Sequence, residues 1–215
     1  MVTKKSARSS AAPESPSPVR TRILEAAFSA FMERGFAEAS TLEIATRARA
    51  SKRELYAEFG SKQDMLLACI RERAERLKLP ADQPKIADRA TLEQALVSFG
   101  TQLLREVSDP TVVAVYRLAI SEAARAPEVA QTLADVAIAT SREALREIMR
   151  VAIDARLLAG GAPEMADQFF GLLWGNRMLG LLLGIAERPS ARETSDRAEK
   201  AASAFLRIHL VPAQR

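Results

Sequence analysis

Ser51-Lys52-Arg53-Glu54 sets two cations side by side at what reads as the start of a helix. A serine followed three residues later by an acid forms a capping box, in which the hydroxyl accepts a backbone N–H and the carboxylate reaches back. The same pattern recurs at Ser40-Thr41-Leu42-Glu43 and Ser61-Lys62-Gln63-Asp64. Cations at a helix start can donate to guanine O6 and N7 or to phosphate. Ser40, Thr41, Ser51, Tyr56 and Lys62 can reach phosphates with hydroxyls, an ammonium and helix N-termini. The structural alternatives stand beside these roles. The serines are helix caps first, and Glu54 is a cap partner before it is a reader of cytosine. Tyr56 can be partly core, and Lys62 can be plain surface charge.

Other chemistry is poorly supplied. The chain of 215 residues has one Cys (Cys69) and one His (His209). Zinc sites built from several Cys or His need about four ligands, so they are excluded, as is an intrachain disulfide. A His-based triad would have to use His209, close to the C-terminal end. No phosphate-cradling glycine loop and no nucleophile–base pair stands out. An enzyme is not expected, nor a cofactor. Cysteine usage points to a reducing compartment, and a cytoplasmic location is expected.

Net charge is +4, with a pI near 9.5. Residues 1–78 hold 15 Lys and Arg against 10 Asp and Glu, whereas residues 79–215 hold 16 against 17. A basic end on a near-neutral body suggests a polyanion partner, although so small an excess also fits a solvated surface. The most apolar stretch, 171–186, is shorter than the ~20 residues a membrane span needs and contains Asn176 and Arg177. No apolar region follows the first cations, so a secretory leader is not expected.

The elements that must position these residues are helices. Residues 1–18 read as a disordered basic tail with Lys4, Lys5 and Arg8. A first helix begins near Pro18, with Ile23, Leu24, Ala27, Phe28 and Phe31 on one stripe, and ends at Gly35. Three capping boxes 11 and 10 residues apart leave room for two short helices and the start of a third. The turn between the short helices falls at Ala48-Arg49-Ala50. That is helix-turn-helix geometry, in which the second helix enters the major groove by its N-terminal residues. A polar linker sits at Asp82–Pro84. Beyond it, helical stripes run to the end of the chain, including a segment from Pro127 to about Leu158 and another from Pro163 to about Ala186. The expected fold is all-α, with a three-helix helix-turn-helix domain over 19–65 and a larger helical bundle over 66–215.

The run Arg22-Ile-Leu-Glu-Ala-Ala-Phe28, Phe31, Gly35-Phe36, Ser40-Thr41, Ile44-Ala45, Ala48, Ser51-Lys52, Leu55-Tyr56, Phe59 and Ser61-Lys62 resembles the TetR family of bacterial transcriptional regulators. The motif covers residues 20–70, and Arg117–Glu128 is similar to one branch of the family. The resemblance implies a homodimer, most often a repressor, that binds double-stranded DNA and releases it when a small-molecule effector binds. Three departures are visible. Arg49 stands where the family often has Gly, at a cost of roughly 1 kcal/mol if that residue is left-handed. Ala39 replaces the first of a usual Thr pair. Ala57 and Glu58 replace aromatic or His residues, which implies an unusual operator preference.

In the body, residues 169–184 are apolar all round a helix. Gly171 and Gly175 are four apart, as are Gly180 and Gly184, a spacing that lets a second helix approach. This helix and the last one, with Phe205, are expected to form a four-helix dimer interface, the alternative being a buried core helix. Phe99, Tyr116, Arg117, Trp174, Asn176 and Met178 are the expected lining of a cavity for a mostly apolar molecule, though each fits core or surface too. The competing reading of the whole chain is a helical small-molecule-binding protein without DNA function.

Overall fold

The computed structural model describes residues 17–75 and 85–211. The expected linker Asp82–Pro84 and all but the last two residues of the expected tail lie outside them. Regular structure in the described residues is helical, apart from one isolated antiparallel bridge between Leu158 and Leu210.

Helix α1 (Pro18–Glu38) starts where the Ser17 hydroxyl accepts the Arg20 N–H and Pro18 supplies a preset first turn. It buries Ile23, Leu24, Ala27, Ala30 and Phe31. Gly35 breaks it with φ of 79°, so the ending read from the sequence is where the backbone turns. Helix α2 (Thr41–Arg47) and helix α3 (Lys52–Phe59) follow, each capped by its predicted serine. Helix α4 (Lys62–Glu75) carries the chain out of this unit, burying Met65, Leu66, Cys69 and Ile70. The expected boundary after residue 65 falls inside α4, which packs against α1 on one side and the body on the other.

The body comprises α5 (Arg89–Val107), α6 (Pro110–Glu122), α7 (Pro127–Leu133), α8 (Ala139–Asp154), α9 (Ala162–Trp174), α10 (Arg177–Leu183) and α11 (Ala191–His209). A π-helical turn, Ala134–Ile138, joins α7 to α8, so the long segment expected from Pro127 is interrupted. This turn packs against α4. α11 lies along α5 and α9, with Phe205 edge-on to Phe169 at 5.7 Å. A Cβ on Gly100 of α5 would stand 3.2 Å from that of Ala198 on α11, so this glycine sets how closely those helices approach.

The expected continuous helix over 163–186 is corrected. α9 stops at Trp174, Gly175 turns the chain with φ of 47°, and α10 ends at Gly184 with φ of 74°. These two glycines terminate helices instead of admitting a neighbour. A Cβ on Gly180 would meet Ala186 at 2.9 Å, so its partner is the turn that follows it. Of the four, Gly171 alone faces open space, with nothing within 4 Å of its Cβ direction. Phe205 is wholly buried within the subunit, which makes it a core residue with no area to give an interface.

Candidate functional site

The helix-turn-helix is held from three sides. At its base, Arg22 Nε donates to the Ala48 carbonyl at 3.1 Å, satisfying an orphan acceptor at the end of α2. At the far end of α3, Arg20 donates to the Glu58 carbonyl at 2.9 Å and lies 4.4 Å over the Phe59 ring, while the Ser17 hydroxyl donates to the Glu58 carboxylate at 3.1 Å. Glu58 thus ties α3 to the start of α1. On the outer face, Arg47 grips Glu33 through two bonds of 2.8 and 2.7 Å and Glu43 through one of 2.6 Å. The Arg47 guanidinium, followed by the Ser29 hydroxyl, pulls Glu33 from its ordinary 4.5 down to about 2.

The turn itself closes through Ala50 N–H to the Ala45 carbonyl at 2.9 Å and Arg49 N–H to that of Thr46 at 3.2 Å. Arg49 adopts φ of 50°, the left-handed conformation that glycine takes without steric cost. α3 then begins with a complete capping box. The Ser51 hydroxyl accepts the Glu54 N–H at 3.1 Å, and the Glu54 carboxylate accepts the Ser51 N–H at 2.7 Å. The Ser51 N–H foremost, and then the Ser51 hydroxyl donating to the same carboxylate at 2.7 Å, lower the Glu54 pKa and occupy it as a cap. Lys52 and Arg53 project from this first turn, exposed, with no hydrogen bond or ion pair among the described residues.

Ser40 caps α2 by accepting the Glu43 N–H at 3.2 Å. The Tyr56 hydroxyl lies 3.4 Å from that of Thr41, so the two share one surface spanning both helices. Tyr56 is exposed, not core. Lys62 donates to the carbonyls of Ala37 and Ala39 at 3.1 and 3.0 Å and sits 4.7 Å over the Phe36 ring. It is therefore more than surface charge: it fastens the α1–α2 link and has one N–H left to donate.

In the body, a cavity of about 230 Å³ brings together three of the six predicted ligand residues, Tyr116, Trp174 and Met178. Leu103, Val107, Ile138 and Phe170 add apolar wall, and Ser141 and Arg142 add polar groups. The other three predicted residues are elsewhere. Phe99 is buried behind Phe170, edge-on at 6.1 Å. Arg117 caps the end of α10, donating to the carbonyls of Leu181 and Leu182 at 2.7 and 2.9 Å. Asn176 is exposed at the head of α10. Ser141 and Arg142 escaped sequence reading because the π turn resets which face of the following helix looks inward. Burial raises the pKa of Tyr116, so it stays a phenol.

The fold and this site define a helix-turn-helix DNA-binding protein with a helical body that holds a cavity. Residues 23–69 match the model for "Bacterial regulatory proteins, tetR family", and residues 94–209 match "AefR-like transcriptional repressor, C-terminal domain". The chain belongs to the TetR family of transcriptional regulators. Among solved structures, a TetR transcriptional regulator from Agrobacterium tumefaciens is 26% identical, with TM-score 0.78 and coverage of 91% of this chain and 96% of that one. The flavonoid-responsive regulator FrrA is 29% identical, with TM-score 0.77 and coverage of 91% and 98%. A TetR-family regulator from Mesorhizobium loti shares the fold at 23% identity and TM-score 0.76, over 90% and 97%. No curated protein matches the chain. No helix among the described residues is long and apolar enough to cross a membrane.

Proposed function

We propose that the chain is a repressor that binds a palindromic DNA operator as a homodimer and releases it when a small, mostly apolar effector fills the cavity. The observation that carries this is the unpartnered pair Lys52 and Arg53 at the capped head of an exposed α3. Cations held at a helix start on a rigid frame, with no internal partner, are free to meet guanine edges or phosphates. Ser40, Thr41, Tyr56 and the remaining Lys62 N–H flank them as phosphate donors. A cytoplasmic location goes with this role.

Dimerisation is assigned to the face shared by α9 and α11. Gly171 opens to space there, Leu172 is 37% exposed, and Ile208 in the last turn of α11 is 67% exposed. A copy related by a two-fold axis would cover these groups and place two α3 helices in successive major grooves, about 34–36 Å or a multiple apart.

Release is assigned to the π turn. Ile138 belongs to it and lines the cavity, while the turn packs on α4, which follows directly from α3. The Ser141 hydroxyl donates to the carbonyls of Ala137 and Ile138 at 3.2 and 3.0 Å, tying the cavity wall to the turn. FrrA is named as flavonoid-responsive, which supports small-molecule response on this fold. An effector shifts the equilibrium only by binding one state better than the other.

Selection of duplexes from a random pool, followed by affinity at several salt concentrations, tests the reading. An enriched palindrome with a steep salt slope is expected. Lys62→Ala should weaken binding to all sequences and lower the slope by about one. No enrichment from folded protein would leave a small-molecule-binding protein without DNA function.

A further inference from the structure

We propose that the cavity takes a single-ring aromatic acid, whose ring is held by Trp174, Phe170 and Met178 and whose carboxylate is held by Arg142. This rests on reading the chain as an effector-responsive regulator and names the effector's class.

Size comes first. An apolar protein cavity of roughly 150 Å³ accommodates benzene. A cavity of about 230 Å³ has room for one ring and its substituents, on the order of ten non-hydrogen atoms. A linked multi-ring molecule of about twenty non-hydrogen atoms, such as a flavonoid, would leave roughly half of itself outside.

Wall chemistry comes second. Trp174, Phe170 and Tyr116 offer aromatic faces and edges, and the Met178 thioether packs well against ring edges. Leu103, Val107 and Ile138 close the rest without polar demands.

Polar groups decide the charge. Arg142 is the one charged residue among those described that line the cavity. Its only described partner is Asp167 at 3.8 Å, and both side chains are about half exposed. Such a pair is worth little, so exchanging it for a ligand carboxylate, bidentate and partly shielded, is favourable. Tyr116 remains a phenol and has no hydrogen-bond partner among the described residues, so it is a second donor. Ser141 has its own proton committed to helix carbonyls and can only accept. The several N–H donors of Arg142 and the Tyr116 O–H outnumber the two hydroxyl oxygens that can accept, which favours a ligand richer in acceptors, as a carboxylate is. A ring hydroxyl would serve Ser141.

The test titrates the full chain with benzoate, 4-hydroxybenzoate, the neutral isostere benzamide and the flavonoid naringenin. The readout is fluorescence of the single tryptophan, Trp174, which sits in the wall. The aromatic acids should bind about tenfold or more tighter than benzamide. Arg142→Gln should erase that preference with the melting temperature little changed, and Asp167→Asn should tighten acid binding several-fold by freeing Arg142. Equal binding of benzamide, a preference that survives Arg142→Gln, binding of naringenin alone, or no binding at all would each overturn the proposal. Operator binding is measured separately without additives. Its absence counts against the regulator reading alone. An acid that binds Trp174's cavity yet leaves the operator complex intact would keep the ligand class and remove the release step.

Discussion

Arg49 and Glu33 show how single side chains set the behaviour of the DNA-binding unit. Arg49 is exposed and held at φ of 50° by the turn around it. A left-handed non-glycine residue costs roughly 1 kcal/mol, and glycine returns part of that through its freer unfolded chain. Arg49→Gly should therefore stabilise the protein by about 0.5 kcal/mol and raise the melting point by roughly 1–2 °C. A drop in melting temperature would show that the Arg49 side chain makes a contribution of its own. Glu33 is held ionised by Arg47 and Ser29, with its pKa lowered to about 2. A carboxylate depressed in the fold contributes stability above its unfolded value, and that contribution is lost as pH falls toward the folded one. Stability should thus decline from about pH 5 downward, and Glu33→Gln should flatten that decline in an acid melting series. An unchanged slope would mean that the Arg47 cluster contributes nothing.

At the scale of elements, the N-terminal helices were readable because their boundaries are written in local chemistry. Ser40, Ser51 and Ser61 each meet an acid three residues on, and all three bond the backbone N–H of that acid. The interruption at Gly175 was not readable, since an apolar run with glycines fits a close-packed helix as well as two short ones. The π turn was hidden for a related reason: nothing in 134–138 departs from an ordinary helical pattern, yet it is followed by Ser141, which is buried, and by Arg142, which lines the cavity rim half exposed. Tyr116, Trp174 and Met178 were found as aromatic or flexible residues on apolar helices. Phe99, Arg117 and Asn176 share those types but are taken by the core, by the carbonyls of α10 and by solvent. The turn carries its own prediction. Ile138→Ala should leave operator affinity without effector nearly unchanged and effector affinity within a few-fold, but reduce the effector's ability to release DNA. Unreduced release would place the coupling outside this turn.

The whole molecule presents one contiguous apolar core, running from Ile23 in α1 to Leu206 in α11. Its exposed counterpart on α9 and α11 is small, and Phe205, the aromatic expected there, lies inside. Leu172→Glu and Ile208→Glu each put a charge on that face without touching the core. Each should yield a folded monomer in light scattering and reduce operator binding toward that of a half-site. A dimer that survives both would move the interface elsewhere. The sharing of α4 has a different kind of consequence. Met65, Leu66, Cys69 and Ile70 are buried in it, with the Cys69 thiol 3.5 Å from the Leu24 carbonyl of α1 while the same helix packs on α7 and the π turn. Fitting this body with a different DNA-reading head by a join at the loop between α3 and α4 would set a foreign first helix against this α4. A working graft must also remake the side of α4's apolar face that meets the head while leaving the side that meets the body. Architecture of this kind favours diversification by substitution within each part over the trading of parts.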